Sequence, residues 1–282
     1  MPLVSVIIPA YNEESDIEEC IKSLMKQSFK DFEIIVVDDG STDKTISAAS
    51  KFKKVKIFRQ NHGGPGRARN LGARKAKWRI LVLIDADMHF DKDYIKNLIK
   101  PITGDKTGKI IGTTHEHEIA TNLKSPWSRM YGEIRVSKEN AREVRIFRAI
   151  RKDKFLELGG FDPKYGYADD QTFWYKYNIK PMVAKNTTCY HKNPETLRAT
   201  YGQARWIGKS WKKRFKIFSM PIINYLAVLG LYVLYMPLFI ARALITRVEG
   251  ITLKQKLVYY MVKFIGYING VAEAVFLNRV WR

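Results

Sequence analysis

The sequence has little cysteine and no leader-like segment at its start, and each absence narrows the class of protein. Only Cys20 and Cys189 occur among 282 residues, which excludes a disulfide framework and predicts a reducing compartment. No positively charged segment precedes the first apolar run, which ends before Asn12, so we expect no signal peptide. Repeats and low-complexity tracts are absent too. The length leaves room for one large domain and a further segment of about 80 residues.

Acidic residues are also scarce, because 28 of them stand against 49 lysines and arginines and leave a formal net charge of +21. A charge of this size indicates a nucleic-acid or an anionic membrane partner. We predict no nucleic-acid partner, because the sequence contains no recognisable nucleic-acid-binding module. Part of the positive charge lies in residues 198–216, directly before an apolar segment, where an anionic cytoplasmic leaflet would attract it.

Residues 217–241 contain no charged side chain, and a helix of that length would cross a bilayer core of about 30 Å. The later stretch 257–277 is apolar but contains Lys263 and Glu273, which are costly at the centre of a bilayer. We therefore predict membrane-associated helices that enter one leaflet or lie at the interface, with a two-span hairpin as the alternative. The basic flank predicts localisation at the cell membrane with the preceding domain in the cytoplasm.

Apolar runs that alternate with helical patterns predict a parallel β-sheet in the first part of the chain. The predicted strands lie at residues 4–8, 32–37, 55–59 and 79–84. Parallel sheets bind ligands at the carboxyl ends of their strands, and polar residues follow each of these runs. The pattern predicts an α/β, Rossmann-like domain over residues 1–210, followed by a basic helix and membrane-associated helices over residues 211–282.

Asp85 and Asp87 end the last of these strands. Side chains at positions i and i+2 of a strand point the same way, so both carboxylates could address one Mg²⁺ or Mn²⁺ and the diphosphate that it binds. A solvated strand end is the alternative for an isolated pair of this kind.

Six segments, in order, resemble the inverting family 2 glycosyltransferases, which have a GT-A (nucleotide-diphospho-sugar transferase) fold. The segments are SVIIPAYNE (5–13), VDDGSTD (37–43), GRARNLG (66–72), DAD (85–87), GGFD (159–162) and ADD (168–170). The resemblance implies metal-dependent transfer of a sugar from a UDP- or GDP-sugar to an acceptor hydroxyl, with inversion at the anomeric carbon. It names neither the sugar nor the acceptor.

The resemblance also implies which residues bind the donor. The nucleoside would lie against backbone and an aromatic face, a carboxylate would take a ribose hydroxyl, Asp39 would accept the N–H of the base, and cations would meet the diphosphate. The donor-binding residues implied in this way are Pro9, Ala10, Tyr11, Glu13, Asp39, Arg67, Asp85, Ala86 and Arg205. The alternative role for Asp39 is that of a helix N-cap.

The same resemblance implies the metal site and the base. Asp87 is the first choice as a direct ligand of Mn²⁺ or Mg²⁺, with Asp85 on ribose or a metal-bound water and His191 completing the site. Asp170 would act as the base that takes the proton of the acceptor hydroxyl, and Asp169 would hold the backbone or the acceptor. Trp174 would offer a flat surface to a sugar ring.

The polar stretch HEHE at residues 115–118 lacks the spacing of a metal motif. We expect a strand there, with both histidines on one face and both glutamates on the other.

The sequence leaves two alternatives to transfer onto a hydroxyl. A polyprenyl-phosphate glycosyltransferase would use a phosphate acceptor. Such an acceptor needs no deprotonation, so the enzyme would not need Asp170 as a base. A non-catalytic membrane scaffold would have no need for all four acids at positions 39, 85, 87 and 170. The predicted partners are therefore a nucleotide-sugar donor, a lipid-linked or glycan acceptor, and the membrane.

Overall fold

The computed structural model describes residues 4–210, 223, 226, 230, 237 and 240–276, and these form two compact units. The first unit contains Met1–Ile119, Ile134–Pro163 and Asp169–Lys192, and the second contains Ala120–Glu133, Lys164–Ala168 and Asn193–Arg282. The predicted domain boundary at residue 210 falls within the last segment of the second unit and stays a prediction.

The first unit begins with four parallel strands, as the sequence predicts. They are β1 (Val4–Ala10), β2 (Phe32–Asp38), β3 (Val55–Arg59) and β4 (Ile80–Leu83), and β1 pairs with both β2 and β4 while β2 pairs with β3. The helices between them are α1 (Ile17–Met25), α2 (Thr45–Ser50) and α3 (Pro65–Lys75). This alternation of strands and helices brings the carboxyl ends of the four strands to one edge of the sheet.

Beyond these strands the sheet contains antiparallel pairings, so it is mixed rather than wholly parallel. The added strands are β5 (Met88–Phe90), β6 (Gly112–Ala120), β7 (Ile134–Val136), β8 (Ala149–Arg151) and β9 (Met182–His191), in the order β3-β2-β1-β4-β8-β6-β9-β5 with β7 on β6. The antiparallel pairings are β4 with β8, β8 with β6, β6 with β7 and β9 with β5. Three of these strands are only three residues long and β6 is polar, so none has the continuous apolar run that marks a buried parallel strand.

Further helices follow along the chain. They are α4 (Tyr94–Gly104), α5 (Pro126–Tyr131), α6 (Lys152–Glu157), α7 (Thr172–Tyr177), α8 (Leu197–Lys209) and α9 (Leu253–Phe276). Apolar side chains cover both faces of the parallel strands, with α1 and α4 on one face and α3 on the other. Gly72 of α3 lies so close to β1 that an added Cβ would come within 2.5 Å of the Ile7 side chain. The close packing fixes α3, and with it the side chains that α3 presents to the edge of the sheet.

In the second unit, α8 and α9 pack with their backbones almost in contact. A Cβ added to Gly208 would overlap the carbonyl oxygen of Tyr267, and one added to Gly270 would overlap that of Arg205. Glu273 forms ion pairs with Arg205 and Lys209.

The other charge in the apolar α9 also faces protein. The Lys263 ammonium lies over the rings of Tyr131 and Tyr259, at 5.5 and 5.2 Å from their centroids. Lys263 and Glu273, which are costly in a bilayer, therefore have protein partners.

Across the described ranges, none of the helices combines the length and the apolar character needed to span a bilayer. The predicted C-terminal membrane helices therefore find no support there. Most of the predicted segment 217–241 lies outside the described residues. The stretch 257–277 lies within α9, except for residue 277, which is not among the described residues.

Candidate active site

Asp85 and Asp87 lie on the turn between β4 and β5 rather than on a continued strand. Asp85 forms ion pairs with two buried arginines: Arg69, and Arg148, whose Nη1 lies 3.0 Å from Oδ2 of Asp85. Burial opposes ionisation of Asp85, but the two guanidinium groups outweigh it and hold the pKa of this carboxyl well below its usual value. Asp85 is therefore a carboxylate at any physiological pH.

Asp87 meets His191, although 103 residues separate them along the chain. His191 ends β9, and its Nε2 lies 3.1 Å from Oδ1 of Asp87 while its Nδ1 lies 2.7 Å from Oε1 of Glu118. Burial alone would lower the pKa of His191, but the two carboxylates raise it to about 9. The predicted metal ligands Asp87 and His191 are thus adjacent, and their role as ligands stays a prediction.

Glu118 is a site residue that the sequence analysis does not single out. It is 5% exposed, and His115, Arg135 and Arg148 surround it together with His191. The expected separation of histidines and glutamates onto opposite faces of the strand is wrong, because Nε2 of His115 lies 3.1 Å from Oε2 of Glu118. His115 and Glu118 are both buried, whereas Glu116 and His117 between them are partly exposed, so strict alternation of faces does not hold across these four residues.

Arg69, rather than Arg67, points into this cluster. Arg67 is exposed and packs beside Gly63, whereas Arg69 is buried between Asp85 and Asp169. The two arginines are two positions apart on α3 and so lie on different faces of the helix. The face of Arg69 is also marked by small residues at helical spacing, Gly66, Gly72 and Ala73.

Asp169 and Asp170 lie close to Arg69 but differ in their contacts. Asp169 is buried, accepts the backbone N–H of Gly66 at 2.8 Å, and has its other oxygen 3.5 Å from Arg69. Asp170 is partly exposed, and no ion pair to its carboxylate occurs among the described residues. Burial raises both pKa values, to about 7 for Asp169 and about 6 for Asp170, although Arg69 opposes the shift. Of the two, Asp170 is thus the carboxylate open to an incoming molecule.

Replacement of Asp169 by asparagine should raise the free energy of unfolding at pH 8 by about 1 to 4 kcal/mol. Between about pH 4 and pH 7 the unfolded chain has released the Asp169 proton while the folded chain retains it, so this group makes wild-type stability fall as the pH rises. Asparagine keeps an oxygen for the Gly66 N–H and has no charge to bury. Urea unfolding at pH 4, 6 and 8 measures the effect, which should shrink toward pH 4.

The charge-matched control is Asp153→Asn, because Asp153 is exposed in the same unit. Its stability should differ little from that of the wild type at any of the three pH values. If the Asp169→Asn protein were less stable than the wild type at pH 8, the predicted gain in the free energy of unfolding would be wrong.

The predicted nucleoside end lies where β1 and β2 finish. Pro9 and Ala10 are buried at the end of β1, and the ring of Tyr11 stacks on His62 with centroids 4.1 Å apart. Ala86 is buried in the turn after β4. The backbone N–H of Glu13 donates to the hydroxyl of Thr45 at 2.7 Å, which ties this loop to the start of α2.

Asp39 is buried and holds the loop before α3. Its oxygens accept the backbone N–H groups of Gly63 at 2.9 Å and Gly64 at 2.8 Å, and the side-chain amide of Gln60 at 2.7 Å. Gly64 has a φ of +90°, which suits glycine. Because α2 begins only at Thr45, Asp39 does not cap it; a contact to a nucleobase stays a prediction.

Trp174 and Arg205 both have protein partners in their own units. The Trp174 ring lies 4.6 Å from the guanidinium carbon of Arg145 and 5.0 Å from the ammonium of Lys180. Arg205 is in the second unit, where it pairs with Glu273. The sugar contact predicted for Trp174 and the donor contact predicted for Arg205 stay predictions.

Asp87 and His191 are the predicted ligands that could hold a divalent metal ion. Their facing oxygen and nitrogen offer a carboxylate and an imidazole, a donor set that suits Mn²⁺ better than Mg²⁺. Asp85 is covered by two guanidinium groups, so it fits a ribose hydroxyl or a metal-bound water better than direct ligation.

A second group also has the geometry to hold a metal ion. His115, Glu118 and Cys189 have ligand atoms within 4.8 Å of one another, and all three residues are buried. Arg135 and Arg148 lie beside Glu118, and their positive charge opposes an additional cation there.

A model of the protein family described as glycosyl transferase family 2 matches residues 5–163, which is more than half of this chain. The poly(ribitol-phosphate) beta-N-acetylglucosaminyltransferase TarS of Staphylococcus aureus is 39% identical over 100 residues, which cover 33% of this chain and 18% of that protein. The uncharacterized glycosyltransferase EpsJ of Bacillus subtilis is 39% identical over 101 residues, which cover 34% of this chain and 28% of that protein. The matched region thus spans less than a third of each relative.

Two solved structures share the fold over nearly the whole chain. The crystal structure of S. aureus TarS residues 1–349 in complex with UDP-GlcNAc has a TM-score of 0.55 at 20% identity and covers 96% of this chain and 91% of that one. The mannosyltransferase PcManGT from Pyrobaculum calidifontis, in complex with GDP-Man and Mn²⁺, has a TM-score of 0.61 at 20% identity and covers 99% and 88%. At this identity the likeness shows an α/β, GT-A-like fold with a mixed sheet.

Proposed function

This chain belongs to glycosyltransferase family 2, and from that premise we propose that it transfers a sugar from a UDP- or GDP-sugar to an acceptor hydroxyl with inversion. The observation that supports this most is that Asp85 pairs with the buried Arg69 and Arg148, whose charges also act on Asp170, while Asp87 of the same turn pairs with His191. Structural neighbours are solved with UDP-GlcNAc, or with GDP-Man and Mn²⁺, which supports a nucleotide-sugar donor here.

The donor would lie along the edge of the sheet where the parallel strands end. Tyr11 and His62 offer a stacked aromatic surface for the base, and Glu13 is the carboxylate for a ribose hydroxyl. Asp39 would take the N–H of the base by releasing one of its present donors, of which the Gln60 amide is the easiest to move. Arg67 is exposed at the first turn of α3, where its cation and the positive end of the helix dipole favour a diphosphate.

Asp87 and His191 would hold the divalent ion, with Asp85 beside it. When bound, such an ion stabilises the negative charge that builds on the departing nucleoside diphosphate. Arg148 and Arg69 keep Asp85 ionised and fixed in place.

Asp170 would accept the acceptor proton. In an inverting displacement, the acceptor oxygen attacks the anomeric carbon from the face opposite the leaving group while its proton passes to a carboxylate oxygen of Asp170. A carboxylate with a pKa of about 6 is ionised at neutral pH and still binds a proton more strongly than an ordinary aspartate does. Asp169 keeps Gly66 and Arg69 in position next to this base.

The acceptor in this proposal is lipid-linked or another membrane-proximal glycan, and the site faces the cytoplasm. The supporting features are the net charge of +21 and exposed apolar side chains in the second unit. Those side chains are Leu244, Ile245, Met261 and Ile265. The open carboxylate of Asp170 favours a hydroxyl over a polyprenyl phosphate, because a phosphate acceptor would not need a base.

A thermal-shift screen of UDP- and GDP-sugars tests the proposal. One donor, with Mn²⁺ present, should raise the melting temperature, because a ligand that binds only the folded state at 100 times its Kd stabilises it by about 2.7 kcal/mol. The same donor should release its nucleoside diphosphate when acceptor-containing membranes are added. If no UDP- or GDP-sugar binds with Mn²⁺ or Mg²⁺, the proposal fails.

A further inference from the structure

Glu118 lies at the centre of the buried charge network of the first unit. Its Oε1 lies 2.7 Å from Nδ1 of His191 and 3.0 Å from Nη1 of Arg135. Its Oε2 lies 3.1 Å from Nε2 of His115 and 3.7 Å from Nη2 of Arg148. All four neighbours present nitrogen, so both oxygens of Glu118 meet hydrogen-bond donors.

Two of these neighbours hold one aspartate each with their other nitrogen. Nε2 of His191 lies 3.1 Å from Asp87, and Nη1 of Arg148 lies 3.0 Å from Asp85. The five side chains therefore form one continuous path from Asp87 through His191, Glu118 and Arg148 to Asp85. Glu118 is the member on which both halves of the path depend.

We propose that Glu118 is a positioning residue that sets the geometry of both aspartates, through His191 for Asp87 and through Arg148 for Asp85. The inference rests on the proposed function, because it concerns the metal and donor site of that reaction. A carboxylate on Nδ1 keeps the proton on that nitrogen, so that Nε2, which faces Asp87, is the nitrogen that a cation would meet when it displaces the second proton. The same carboxylate stops Arg148 from turning away from Asp85.

The chemistry of the network requires a carboxylate at this position. Glutamate accepts hydrogen bonds at both oxygens, whereas glutamine accepts at one atom and donates at the other. In Glu118→Gln, the amide nitrogen would face either His191 and Arg135 or His115 and Arg148. A hydrogen-bond donor would then face a donor, and the histidine and the arginine on that side would no longer be held in their present orientation.

The matched control is Glu116→Gln on the same strand, because Glu116 accepts the backbone N–H of Asn186 instead of joining this network. The probe is Mn²⁺ alone and Mn²⁺ with UDP or GDP, followed by electron paramagnetic resonance of free Mn²⁺. Glu118→Gln should weaken Mn²⁺ binding by about 10- to 100-fold, which is the usual cost of removing a group that orients a metal-binding histidine. Glu116→Gln should bind Mn²⁺ as the wild type does.

Two further measurements separate positioning from a merely structural role. Raised Mn²⁺ should restore most of the kcat of Glu118→Gln, whereas a misfolded site would not respond to the metal. In a His191→Ala background, the same substitution should change Mn²⁺ affinity by less than about twofold, because groups acting through one another are not additive. If Glu118→Gln does not fold, Glu118→Asp keeps both acceptor oxygens and should show a smaller loss of affinity.

The outcomes distinguish this inference from the function on which it rests. A wild-type protein that binds no Mn²⁺, with or without nucleotide, contradicts the proposed metal site itself. A wild-type protein that binds Mn²⁺ together with a folded Glu118 variant that binds it equally well overturns the role of Glu118 alone. An equal loss in Glu116→Gln and Glu118→Gln would overturn it as well, since it would report a general effect of charge.

Discussion

Replacing Asp170 with asparagine should lower the rate of sugar transfer by about 10²- to 10⁴-fold, the usual contribution of a general base. Donor binding should stay within about twofold of the wild type, because no ion pair to the Asp170 carboxylate occurs among the described residues and Asp170 is not one of the proposed metal ligands. Single-turnover transfer from the donor identified in the thermal-shift screen measures the first quantity. Calorimetry with the nucleoside diphosphate and Mn²⁺ measures the second.

Asp153→Asn is the control for the loss of one negative charge, and it should transfer sugar at the wild-type rate. Transfer by the wild type should rise with pH through about 6, because the base works only when the Asp170 carboxyl has lost its proton. Residual transfer by Asp170→Asn should lack this rise. Near-normal turnover in that variant would instead favour a phosphate acceptor, which has no proton to give up.

The parallel half of the fold could be predicted from the sequence because its strands are apolar on both faces. Residues 6–8 and 34–37 form continuous apolar runs, and the structure buries them between helices on the two sides of the sheet. The other strands could not be predicted in this way. The strands β5, β7 and β8 are too short to show a periodic pattern in the sequence. The sequence of β6 is polar, although its first four residues are buried.

The site residues also differ in whether the sequence reveals them. The aspartates of the turn and His191 could be found because each follows a strand, where polar residues interrupt an apolar pattern. Glu118 and Arg148 form an ion pair in the interior, and a buried charge is recognisable from the sequence only when its partner is known. Arg148 does leave one trace, since it interrupts the otherwise apolar run at residues 146–150.

Arg67 and Arg69 show how a helix separates neighbours that sequence motifs treat alike. Both follow the glycine-rich loop, and only the spacing of Arg69 from Gly66 and Gly72 places it on the buried face. The predicted donor contact of Arg67 fits an exposed residue. The buried Arg69 has a different task, which is to join Asp85 to Asp169.

Asp87→Asn should abolish the part of nucleotide binding that depends on Mn²⁺. Asparagine keeps the shape of the side chain but removes the charge that faces His191, so the pair would no longer offer an anionic ligand to a divalent ion. Loss of a group that orients a metal ligand can cost about 100-fold in metal affinity. We expect the Mn²⁺ affinity of Asp87→Asn to fall by at least this factor, because the proposed direct ligand itself is changed. In a thermal-shift titration, the donor with Mn²⁺ should raise the melting temperature of this variant no more than the donor with EDTA does.

The internal control for Asp87→Asn is the binding that needs no metal. Stacking on Tyr11 and contacts with the loop held by Asp39 do not involve Asp87, so weak binding of the nucleoside diphosphate in EDTA should survive the substitution. Asp153→Asn should keep the full metal-dependent shift. A wild-type response to Mn²⁺ in Asp87→Asn would move the metal ion elsewhere, and the group of His115, Glu118 and Cys189 would then be the next place to test. Because that group contains no aspartate from the turn, Cys189→Ser would separate the two sites in a single additional titration.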